Sequence, residues 1–202
     1  MKLARIAATA AMTGVVMAVF TVAPEALAHA PGASPTSAGH GGLIGGVLHP
    51  LGGLDHLLAL VAAGMLAGGL GGRAALAVPG VFLAALAAGF VAGVEGAALP
   101  LGEFAIAASL VFLGSIVALG LRLPLAVAVS LAGLFAVFHG YAHGVEAPVS
   151  TEPVVFGLGL ITASAFILAA GAAITLRAGR STAARAGGAA VAGAGLVLAL
   201  ML

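Results

Sequence analysis

The chain has 202 residues, of which 62% are hydrophobic and 6% charged, with a formal net charge of +1 and no cysteine. Soluble domains carry about 25% charged residues, so a water-soluble globule, a disordered chain and a nucleic-acid binder are all excluded; seven Lys and Arg cannot build a phosphate-binding surface. The missing cysteine excludes disulfides, thiolate metal sites and thiol catalysis, and a mean hydropathy of +1.27 makes lipid the expected solvent.

The chain opens with Lys2 and Arg5, continues through an apolar run from Ile6 to Ala23, and reaches Ala26 and Ala28 at the positions of a small-residue cleavage box. That order is the pattern of a secretory signal peptide. It predicts a signal peptide over 1–28, cleaved after Ala28. The next stretch, 29–42, is rich in Pro, Gly, Ser and Ala and reads as a flexible arm outside the cytoplasm. His29 and His40 lie in that arm.

From Leu43 onward the chain divides at its charged and Pro/Gly-rich breaks into segments long enough to cross a bilayer, which takes about 20 mostly apolar residues. Spans are expected near 43–70, 74–94, 104–121, 124–145, 153–176 and 186–202. The expected fold class is an all-α integral membrane protein, a six-transmembrane-helix bundle over 43–202 after a cleavable signal peptide.

Charges sort by loop. Arg73 falls after the first span, Arg122 after the third, and Arg177, Arg180 and Arg185 after the fifth. Glu95 and Glu103 flank the second loop, and Glu146 and Glu152 the fourth. The positive-inside rule then places the first, third and fifth loops in the cytoplasm of a bacterial inner membrane, with both mature termini on the outer, periplasmic side. Small residues four apart recur at Gly64/Gly68, Gly89/Gly93 and Gly140/Gly144. Such pairs let helix backbones approach closely in lipid.

Ionisable groups inside lipid are costly and point to function. Nearly all of them fall in two spans. The first holds His49, Asp55 and His56, within HPLGGLDH; the fourth holds His139, His143 and Glu146, within FHGYAHGVE. On a helix His139, His143 and Glu146 fall within about 60° of one another, and His49 and His56 within about 20°. Asp55 points about 100° away from His56, as a second ligand if the helix is distorted near Pro50, Gly52 and Gly53, or as the group that fixes an imidazole tautomer. Both clusters fall toward the outer face. A lone membrane histidine is usually an interhelical hydrogen-bond partner; four that agree in spacing and depth, with two carboxylates, favour a metal site. Imidazole and carboxylate without thiolate suit a borderline divalent ion such as nickel, cobalt or zinc.

The two motifs resemble those of the HupE/UreJ family of nickel transporters: a His, five intervening residues, then Asp-His at 49–56, and Phe-His-Gly, Ala-His-Gly and Glu across 138–146. Both are complete. The resemblance implies a small secondary permease that imports nickel and supplies nickel enzymes such as hydrogenase or urease, with no prosthetic group and with Ni2+, Co2+ or Zn2+ as the ion carried. It also implies that His49, Asp55, His56, His139, His143 and Glu146 matter for transport. No nucleotide-binding P-loop motif is present in the sequence. A divalent ion moving inward gains about 4.6 kcal/mol per 100 mV, enough to drive uptake. The expected activity is therefore not enzymatic. The alternatives are an intramembrane zinc-dependent hydrolase, which lacks an H-E-x-x-H motif here, and a metal-binding accessory protein for nickel-enzyme maturation.

Overall fold

The computed structural model describes residues 41–148 and 152–202. The expected signal peptide, nearly all of the arm, and His29 and His40 lie outside the described residues. Seven helices follow: α1 Gly42–Gly52, α2 Leu54–Leu70, α3 Ala74–Val94, α4 Gly102–Leu119, α5 Leu125–Val145, α6 Pro153–Ala178 and α7 Thr182–Met201. The described residues contain no strand. Helices α3 to α7 are each long and apolar enough to cross a membrane, and α1 with α2 makes a sixth span when the bent pair is taken as one. The all-helical membrane bundle expected from composition is the fold observed.

Local chemistry explains the ends. Gly120 closes α4 in the left-handed conformation, at φ 64°, and its N–H bonds the last turn. Pro153 opens α6 at its first turn, where its missing N–H costs nothing. Ser181 caps α7 by accepting the Ala184 backbone N–H at 3.3 Å. That cap starts the last helix four residues earlier than the sequence suggests. Arg185 belongs to its first turn, and its Nε donates to the Ala118 carbonyl of α4 at 2.7 Å.

The first span departs most from expectation. It is two helices meeting at Gly53 with an 84° bend. Gly53 is extended, at φ −106° and ψ 113°, which no helix can pass through. Pro50, with Gly52 and Gly53, makes the break cheap, because proline removes a helix N–H and glycine has no Cβ to constrain it. His49 and His56 thus sit on different helices and do not share a helix face.

Helix α2 is the axis of the bundle. Twelve of its 17 residues are buried, whereas only about a third of each of α3, α5 and α7 is. A helix apolar and covered all round belongs in the core. Around it the helices pair: α3 with α5, α4 with α7, and α6 with both α1 and α2. The pairing is by glycine. The α carbons of Gly89 and Gly93 face the α5 backbone at Val137 and Tyr141, and those of Gly140 and Gly144 face the α3 backbone at Leu86 and Phe90. Gly64 and Gly68 do the same against Leu168 and Ala172 of α6. The three small-residue pairs seen in the sequence are all used within the chain.

Candidate metal site

The bend folds α1 back so that its last turn meets the last turn of α5. His49 lies in that turn of α1, His143 in that of α5, and Glu146 is the residue that ends α5. The ligand atoms of His49, His143 and Glu146 all lie within 4.8 Å of one another. His49 Nε2 donates to Glu146 Oε2 at 3.1 Å, across 97 residues of sequence. Two helix C-termini converge here, each carrying about half a negative charge from its unbonded carbonyls. The site is electrostatically prepared for a cation.

His56 and His139 continue the site inward. The ring centroids step from His49 to His143 at 4.8 Å, from His143 to His56 at 4.3 Å, and from His56 to His139 at 5.1 Å. Four imidazoles from three helices thus form an unbroken line. Its outer member is partly exposed and the other three are buried, with His139 only 1% exposed.

The ring orientations suit ligation. Asp55 Oδ1 accepts from the His56 backbone N–H at 2.8 Å and from its Nδ1 at 2.9 Å. With Nδ1 donating, Nε2 is the lone-pair atom of that ring. His139 Nδ1 donates to the Phe135 carbonyl at 2.9 Å, one turn back. Its Nε2 is buried and has no hydrogen-bond partner among the described residues. Holding one ring nitrogen so that the other faces a metal is the usual preparation of a histidine ligand. Of the two roles open to Asp55, orientation of His56 is the one its hydrogen bonds describe. Its carboxylate also offsets the positive N-terminus of α2, in whose first turn it sits.

All six residues singled out from the sequence are therefore neighbours, but not equally. His49, His143 and Glu146 form the compact triad, His56 and His139 extend it, and Asp55 stands behind His56. Glu95 and Glu152 are helix-cap residues of α3 and α6, and Glu103 is in the first turn of α4. Two aromatic walls carried no signal in the sequence. Phe156 of α6 packs edge-on against His49 at 5.2 Å, and Phe82 of α3 lies 6.3 Å from His139. Phenylalanine is common in such a chain, and its spacing says nothing of a partner on another helix.

Comparison with known proteins gives a consistent result. The sequence model described as HupE / UreJ protein matches residues 15–198. Protein HupE of Rhizobium leguminosarum bv. viciae is 40% identical over 133 residues, which cover 66% of this chain and 70% of that protein. No solved structure matches. With the family model spanning nearly the whole chain and both histidine motifs meeting in one place, the chain belongs to the HupE/UreJ family.

Proposed function

We propose that the protein is a secondary permease importing a divalent transition metal, nickel first, through the line of imidazoles between α1–α2 and α5. The observation that carries this reading is the line itself. Four rings follow one another at 4.3 to 5.1 Å, with Glu146 at the outer end and Asp55 behind the third ring. A fixed enzymatic metal centre needs three or four ligands at one point. A row of overlapping ligand sets suits an ion that is handed from one set to the next. The triad at the mouth exchanges hydration water for imidazole and carboxylate. His56 and His139 then offer the next nitrogens further in. Imidazole with carboxylate selects a borderline ion over Mg2+ or Ca2+. The membrane potential supplies the drive, and the arginine-bearing end is the cytoplasmic one by the positive-inside rule.

One observation favours a second reading. Two histidines and a glutamate are also the ligand set of several zinc hydrolases, which keep a fourth position for water. Asp55 is committed to His56, and the four rings are spread along a line instead of meeting at one point, so transport is preferred.

The deciding experiment is radioactive nickel uptake into sealed vesicles containing the purified protein, with an imposed inside-negative potential and with cobalt and zinc as competitors. Saturable uptake, lost in both His56→Ala and His143→Ala, is expected. Tight metal binding with no uptake at any potential would overturn the permease and turn attention to hydrolysis or to an accessory role.

A further inference from the structure

Three hydroxyl-bearing side chains lie buried among the described residues: Ser109, Ser164 and Thr175. Two of them are satisfied. Ser109 Oγ donates to the Ile106 carbonyl at 2.6 Å, and Thr175 Oγ1 to the Met65 carbonyl at 2.9 Å. Ser164, with 0% of its surface exposed, has no hydrogen-bond partner among the described residues. A helical serine can turn its hydroxyl to the carbonyl one turn back; here that is Leu160, and the bond is not made. An unpaired buried hydroxyl is destabilising, and alanine in its place would avoid the cost.

The packing gives Ser164 its depth. Gly64 and Gly68 of α2 lie against Leu168 and Ala172 of α6, so the two helices run side by side in the same direction and in constant register. One turn back from the Gly64–Leu168 contact, Ser164 comes level with Leu60. Leu60 is one turn inward of His56, about 6 Å along the axis. The packing also gives Ser164 its direction. Gly157, Ser164 and Gly171 are spaced seven apart and share a face of α6 within about 40°. A Cβ at Gly157 would meet the Phe90 ring of α3, and one at Gly171 would meet the Val61 backbone of α2. Ser164 therefore faces the seam between α2 and α3. The same two helices flank His139, whose ring is 5.1 Å from His56 and 6.3 Å from Phe82. His139 Nε2 is the inner end of the imidazole line and, like Ser164 Oγ, is buried with no partner among the described residues.

We propose that Ser164 Oγ is the next ligand of the ion after His139, a single oxygen between the imidazole line and the arginine-bearing end. The inference rests on the permease reading and extends it beyond the two motifs. Imidazole holds a borderline ion firmly, whereas a neutral hydroxyl is a weak ligand for it. A path conducts only if its sites hold the ion loosely enough to pass it on. A weak oxygen beyond the last nitrogen is the ligand that inward release requires.

The chain has no cysteine, so Ser164→Cys places its sole thiol on the proposed path. Cobalt added to the purified full-length variant in detergent is expected to give the near-ultraviolet charge-transfer band of a cobalt–thiolate bond, the metal displacing the thiol proton. Ser109→Cys is the control, equally buried but at a hydroxyl already bonded to Ile106, and is expected to give none. Ser164→Ala reads the same point by transport, and decides the case if the cysteine does not fit, since alanine is smaller and the better helix former. Its maximal nickel uptake into sealed vesicles is expected to fall about fivefold, with the half-saturating concentration within about twofold of wild type because the outer triad is intact. Its thermal midpoint is expected to hold or rise, because an unpaired hydroxyl is gone. No band from Ser164→Cys, an equal band from Ser109→Cys, or wild-type uptake by Ser164→Ala would each overturn the proposal. Unchanged uptake with a lower midpoint would make the hydroxyl a holder of structural water and overturn it too. Each of these leaves the permease standing as long as the wild-type chain takes up nickel. A wild-type chain that moves no nickel fails the permease reading itself, and passage by Ser164 with it.

Discussion

At the scale of single residues the site depends on which ring nitrogen is left to bind. Asp55 holds His56 by Nδ1 and the Phe135 carbonyl holds His139 in the same way. Asp55→Ala removes the oxygen that fixes the His56 ring, and metal affinity measured by competition is expected to fall about 10- to 100-fold, the usual cost of losing an outer partner. Asp55→Asn keeps an oxygen but loses the charge, and should fall between. Wild-type affinity in Asp55→Ala would remove Asp55 from the site. Only neutral imidazole binds metal, so protons compete with the ion. Lowering the outside pH from about 7.5 to about 5.5 should therefore reduce uptake at constant potential. A flat profile would argue against histidine ligation. That these six residues gather was legible in the sequence, because ionisable groups are so few in this chain that their clustering stands out. Their contacts were not. Nothing in the spacing of His49 and Glu146 announces a hydrogen bond across 97 residues, because that depends on how two separate helices pack.

At the scale of elements, five of the expected spans match α3 to α7 within a few residues, because charges and Pro/Gly breaks mark the loops sharply. The bend at Gly53 is the exception. Pro50, Gly52 and Gly53 permit a break without demanding one, and an intact helix has the same hydropathy. What fixes the bend is packing: Gly46 of α1 lies against the Phe156 and Leu160 backbone of α6, while Gly64 of α2 lies against Leu168 further along it. A Cβ at Gly64 would meet the Leu168 carbonyl, a backbone atom that cannot rotate away, whereas one at Gly69 would meet nothing within 4 Å. Gly64→Ala should therefore lower stability by at least about 1–3 kcal/mol. Gly69→Ala should be neutral or slightly stabilising, since alanine is the better helix former by about 0.5–1 kcal/mol. Thermal unfolding followed by circular dichroism in detergent separates them. Equal midpoints would mean that α2 and α6 are not in backbone contact.

At the scale of the whole molecule the bundle is three glycine-sealed units: α3 with α5, α4 with α7, and α1–α2 with α6. Backbones that touch through glycine leave little slack for sliding, so each unit tends to move as one piece and relative motion falls on the seams between units. The candidate metal site lies across one of those seams. His139, His143 and Glu146 belong to the α3–α5 unit, and His49, Asp55 and His56 to the unit built on α6. An ion gripped from both sides becomes a strut between two moving parts, and its radius and preferred bond lengths set how far that seam can close. On the permease reading proposed above, ion choice and mechanical cycle become one property: a cation that coordinates at the wrong distance would be bound and still fail to turn the machine.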